Sequence, residues 1–161
     1  MKTKFRIFLA IMSAVACLAL LAGCSADQQD DAKTQNRQYM SSVNSIMSDM
    51  NDSMSDFSDA IKDGEVLSLS SQLSTVNDCI DKLKAIEAPD AMKDIHSKYV
   101  SGAEELQSAL KLYVELYQDV KVPESGSFDY GKYSSRLSKI KEHYEAGIKA
   151  LEEADEAVSN A

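Results

Sequence analysis

An all-α fold, an antiparallel up-down-up-down four-helix bundle, follows from three observations on this 161-residue chain. Apolar residues recur at alternating steps of three and four along four long stretches, the spacing that lays one face of an α-helix on a core. The stretches are separated at Gly64, at Ala88-Pro89 and at Lys121 to Ser127, which holds Pro123 and Gly126; glycine closes helices at such points and proline opens them. Composition agrees, because two Pro, six Gly and no Trp suit long helices with few turns.

The residues from Ser25 to about Arg37 are small, polar and acidic, without apolar periodicity, and read as a tether fraying into a first helix. Met40, Val43, Met47, Met50, Met54, Phe57 and Ile61 then form the seam of that helix, with Gly64 as its stop. A second helix is predicted from near Glu65, with Val66, Leu69, Leu73, Val76, Ile80, Leu83 and Ile86 inward. Proline is tolerated at the first helical position, so a third begins at Pro89 or Asp90 and carries Met92, Ile95, Tyr99, Ala103, Leu106, Leu110, Tyr113, Leu116 and Val120. The fourth is the most regular, through Tyr130, Tyr133, Leu137, Ile140, Tyr144, Gly147, Leu151, Ala154 and Val158. A long coiled-coil dimer is the structural alternative, but the three breaks cut the heptads into hairpin-sized pieces. Four short-linked amphipathic helices pack most simply with seams facing a common core.

Pairing the third and fourth helices about Ser125 brings Gly102 and Gly147 nearly level, flanked by Ala103 and Ala146, so two backbones are expected to approach there. The second helix is too short to cover the far ends of the third and fourth. The hairpin between them is therefore expected to protrude, with Tyr113, Tyr117, Phe128, Tyr130 and Tyr133 less buried than seam residues such as Leu106 and Leu151.

The N-terminus has the layout of a secretory signal: Lys2, Lys4 and Arg6, an apolar run from Ile7 to Leu21, then small residues. The run ends in Leu21-Ala22-Gly23-Cys24, which resembles the lipobox of bacterial lipoproteins. That resemblance implies cleavage before Cys24, diacylation of its thiol, and residence on the extracytoplasmic face of a bacterial cell membrane; two acyl chains hold a protein durably where one does not. It divides the chain into a signal peptide (1–23), a lipid-anchored tether (24–37) and the bundle (38–161). The stretch from Leu83 through Ala88-Pro89, His96, Tyr99 and Ala103 to Leu110 resembles a pattern in small helical lipoproteins of uncharacterised function, and this implies no activity.

The formal charge is −9, and removal of the leader cations takes it to about −12. Nucleic acid and anionic headgroups repel such a surface, and no basic cluster is expected to offer a local exception. With Cys17 in the leader and Cys24 acylated, Cys79 is left as a lone thiol and no internal disulfide is expected. It lies beside Ile80 and reads as small apolar packing.

The remaining chemistry-bearing residues read as structure. Met40, Met47, Met50 and Met54 can suggest a Cu(I) site, yet all sit on the seam, where methionine is an adaptable filler. The expected register sets His96 level with Ala154 and His143 level with Gln107, on the order of 16 Å apart along the axis. They do not share one ion, and each is expected at the core boundary. The serines and aspartates of Ser41 to Asp59 have no histidine to act as base and no central glycine for a calcium loop, so they read as a solvated face.

No cofactor and no metal is expected, and no nucleophile-base pair points to an enzyme. The expected function is a non-enzymatic interaction or binding module of the cell envelope, with an envelope protein as partner at the aromatic hairpin, since tyrosine combines contact area with a polar tip. The alternative is a small-ligand or metal-binding sensor or transporter-accessory bundle.

Overall fold

The structure, a computed structural model, describes residues 27–63, 68–121 and 130–160, the side chains of 27–30, 60, 61 and 121 excepted. The chain divides into two units, 1–31 and 32–161, and the second carries the core. Among the described residues the protein is all-α, with no strand: α1 (Asp27–Asp63), α2 (Ser70–Ala85), a 3-10 turn (Asp90–Met92), α3 (Lys93–Lys121) and α4 (Tyr130–Ser159). Cys24, the Gly64 turn with Val66, and the connection at 122–129 with Phe128 lie outside the described residues.

Helix ends follow local chemistry. Helix α1 is described as far as Asp63, with Gly64, its expected stop, outside the described residues; it begins at Asp27, so part of the polar segment read as a tether has helical backbone. Its residues 31–38 are exposed except half-buried Asn36, which explains why no apolar spacing marks them. Helix α2 starts at Ser70, about five residues after its expected start. Leu69 holds the preceding, non-helical position, and its carbonyl accepts from Leu73 N at 3.0 Å. The α2 backbone closes with Ile86 N donating to Leu83 O at 3.2 Å. Pro89 then opens the 3-10 turn, its carbonyl accepting from Met92 N at 2.8 Å, and α3 follows without a break.

The cross-helix contacts define the register. Lys98 meets Glu153, Tyr99 meets Asp155, His143 meets Glu105 and Arg136 meets Asp119, so residue numbers fall along α4 as they rise along α3. Lys84 with Glu104 and Gln107 with Asn77 run in the same opposed manner between α2 and α3. Tyr39 with His96 and Phe57 with Tyr113 instead rise together along α1 and α3.

The core is aliphatic and aromatic, with no buried polar or charged residue among those described. Its centre is Phe57 of α1, fully buried and set edge-on to Tyr113 of α3 (ring centroids 5.3 Å) and to Tyr144 of α4 (5.9 Å). Burying such a ring is worth on the order of 2 to 3 kcal/mol, and each edge-to-face pair adds roughly 1 kcal/mol. Met47, Met50 and Met54 of α1 and Met92 fill the same core, as their seam positions predict.

Two seam assignments change. Tyr39 is buried and Met40 half-buried, because the four-residue step back from Val43 selects position 39. Leu137 stays 38% exposed, since the first turns of α4 lie beyond the well-covered part of the core.

Candidate functional site

The hairpin aromatics divide. Tyr113 is 5% exposed, no more open than Leu106 at 3% or Leu151 at 8%, which corrects the expectation that it belongs to the open tip. Part of its cover comes from α1, which runs on to Asp63 and brings Phe57 edge-on against it. Tyr117 and Tyr133 are half-buried, and Tyr130 is the most exposed large apolar residue among those described, at 77%. Arg136 pairs with Asp119 beneath this tip and ties α4 to α3. The structure thus keeps Tyr117, Tyr130 and Tyr133 near solvent at the end where α3 stops and α4 starts, and removes Tyr113 from the set.

Polar pairings lie at two places on the core edge. Near the opposite end, the Tyr39 hydroxyl and His96 Nδ1 lie 3.1 Å apart with the rings edge-on, and the Tyr99 hydroxyl donates to Asp155 Oδ1 at 2.6 Å. Burial pushes the Tyr39 hydroxyl up to about 12 and lowers the His96 pKa, so both groups are biased toward their neutral forms, and the ring's tautomer sets which of the two donates. Burial, with the bond to Asp155, raises Tyr99; burial raises Asp155 too, partly offset by the hydrogen bond it accepts. The two contacts tie α1 to α3 and α3 to α4 across the core edge.

The second pairing is His143, whose Nδ1 donates to Glu105 Oε2 at 2.6 Å across α3 and α4. Both side chains are about 40% exposed, so the pair sits at the core boundary expected for His143. His96, held by Tyr39, sits at that boundary too. Among the described residues no group of three His, Cys, Asp or Glu is placed to hold a metal ion. Cys79 is buried, and its thiol is pushed up by burial and then by Asp49. That makes it a poor nucleophile. No helix among the described residues is long and apolar enough to cross a membrane.

Composition averages hid one surface feature. Residues 130–141 hold Lys132, Arg136, Lys139 and Lys141 with no carboxylate, a basic segment inside an acidic chain. The rest of α4 reverses the sign, with Glu142, Glu145, Glu152, Glu153, Asp155 and Glu156 against Lys149. Counting charge per helix half would have found it. The Tyr39, Tyr99 and Asp155 contacts had no comparable signal, since they depend on register between distant segments.

No curated protein and no solved structure matches the chain. A family model does, over residues 32–151, and this span runs from the early turns of α1 to Leu151 of α4, taking in nearly the whole bundle. The chain therefore belongs to DUF6376, a family of unknown function.

Proposed function

We propose that this chain is a bacterial lipoprotein whose helical bundle works as a non-enzymatic interaction module on the extracytoplasmic face of the cell membrane. The observation that carries the reading is Leu21-Ala22-Gly23-Cys24 at the end of a cationic, apolar leader. A peptidase that draws the backbone in close needs small residues such as Ala22 and Gly23, and a thiolate is the side chain that accepts a diacylglycerol thioether. At about 0.8 kcal/mol per buried methylene, two chains on Cys24 retain the protein on the bilayer, where tethering raises its effective concentration toward other envelope proteins.

The contact surface in this reading is the hairpin end of α3 and α4, with Tyr130 exposed and Tyr117 and Tyr133 half-buried, together with Phe128, which lies outside the described residues. These residues offer apolar area with hydroxyl tips, a composition that suits protein contacts.

Mass spectrometry of the full chain from bacterial membranes tests the address: the native protein carries diacylglycerol at an N-terminal Cys24 and Cys24→Ala carries none. Lipid on that variant would overturn the assignment. A crosslinker placed beside Tyr130, followed by recovery from native membranes, tests the module. The Tyr117→Ser, Phe128→Ser double variant should lose the recovered protein while its thermal midpoint drops only slightly; equal recovery would remove the hairpin as the contact.

A further inference from the structure

Between Val43 and Phe57, every buried residue that α1 contributes to the core is a methionine: Met47, Met50 and Met54. At 100° per residue the three lie within about 60° of one another, on one face of the helix. Met40 stands half-buried at the rim of the same seam. The other seams are built differently. Buried positions of α2 are Val76, Cys79, Ile80 and Leu83, and no methionine follows Met92 in the chain, so α3 and α4 hold none. Those two helices meet through Gly102 and Gly147 and are tied by Lys98 to Glu153, Tyr99 to Asp155 and His143 to Glu105. The middle of α1 is thus seated by thioethers, while the α3-α4 pair contains no group of that kind.

We propose that α1 is an oxidant-sensitive element: a peroxide converts Met47, Met50 and Met54 to sulfoxides, and α1 then disengages between Val43 and Phe57 while α3 and α4 stay packed. In each step the sulfur lone pair attacks one peroxide oxygen, the O–O bond breaks, and the products are a sulfoxide and water. The sulfur is oxidised by two electrons and the peroxide reduced by two. A flexible apolar side chain becomes a polar one with a strong acceptor. No buried polar or charged residue stands among the described core residues to donate to it, so returning α1 to its seat buries three unsatisfied oxygens. Access to the inner sulfurs comes from the local openings that any packed helix undergoes, and the sulfoxide then bars reclosure. Because methionine sulfoxide is reducible by enzymes specific for each epimer, the change is a reversible one. It stands whether or not Cys24 carries lipid and whatever the hairpin binds.

The full chain in detergent, treated with hydrogen peroxide and then quenched, tests this by peptide mass spectrometry and amide hydrogen exchange. Sulfoxide should appear at Met47, Met50 and Met54, exchange in residues 43–57 should quicken at least about tenfold, and exchange around Gly102 and Gly147 should stay within about twofold. Reduction by the two methionine sulfoxide reductases should restore the original exchange. The Met47→Leu, Met50→Leu, Met54→Leu variant is close to volume-conserving, the kind of core change tolerated best. It should show native circular dichroism and no quickening under peroxide. Since that variant keeps Cys79, Met40 and Met92, loosening that persists in it would assign the effect elsewhere and overturn the proposal. So would sulfoxide confined to Met40, unchanged exchange in a chain oxidised at all three sites, loss of protection in all helices together, or failure of the reductases to restore α1.

Discussion

Gly102 of α3 and Gly147 of α4 face each other across a close helix-helix contact, as their register predicts. A Cβ built on Gly147 would stand 2.9 Å from Gly102 O and 2.8 Å from Leu106 Cγ. One built on Gly102 would stand 2.8 Å from Leu151 Cγ and 3.1 Å from Gly147 O. Of the two flanking alanines, Ala103 is buried and Ala146 is exposed, so the close approach rests on the glycines with help from one side.

Alanine at either position gains up to about 1 kcal/mol of helix propensity, but overpacking costs roughly 1 to 3 kcal/mol. Gly147→Ala should be the more damaging of the two, because a backbone oxygen yields less than a leucine side chain. Thermal unfolding followed by circular dichroism should show both variants destabilised, with Leu151→Ala partly relieving Gly102→Ala and leaving Gly147→Ala unrelieved.

Phe57 links three helices through Tyr113 and Tyr144. Phe57→Ala should cost about 3 to 5 kcal/mol in denaturant unfolding, the range for a fully buried aromatic replaced by a methyl group. Phe57→Leu should cost less than half of that. Equal losses for the two would mean that ring geometry, not volume, is what the site requires.

Tyr99→Phe removes the donor to Asp155 and leaves a half-buried carboxylate without it. The expected loss is about 1 to 3 kcal/mol. In the double-mutant cycle with Asp155→Ala, the combined loss should be clearly smaller than the two single losses added together, since one bond is being deleted twice.

Acidification should destabilise the protein through His96. Its folded pKa lies below the ordinary value of 6.5, so the unfolded chain binds the proton first as pH falls. The neutral ring's contribution is complete above 6.5 and is lost as pH drops from there toward the lower folded value. Asp155, raised by burial, acts with the opposite sign, favouring the fold as pH falls through its folded value toward 3.8. The thermal midpoint should therefore be lower at pH 5.5 than at pH 7.5, and His96→Phe should show a flatter slope across that interval.

The fold was legible because each seam advertises itself locally: Val43, Phe57, Ile80, Leu110 and Ile140 all fall on their 3-4 spacing and all are buried. The Gly102 and Gly147 contact was legible because one hairpin pivot sets the whole α3-α4 register. The hairpin was legible only in part. Tyr130 is open as expected, but Tyr113 is covered by an element that is distant in sequence, and counting turns of α2 carries no information about the reach of α1. The Tyr39-His96 and Tyr99-Asp155 pairs were hidden for the same reason.

Cys79 gives the bundle a reporter of its own opening. At 1% exposed, with its ionisation opposed by burial and Asp49, the thiol is closed to alkylating reagents while α2 stays seated. Its labelling rate in the folded protein accordingly measures how often α2 lifts away from α1 and α3, and with what free energy, much as an exchanging amide reports a local fluctuation. Helix α2 is the shortest helix among the described residues, and a labelling rate that stays flat in low denaturant would mark its release as an event separate from global unfolding.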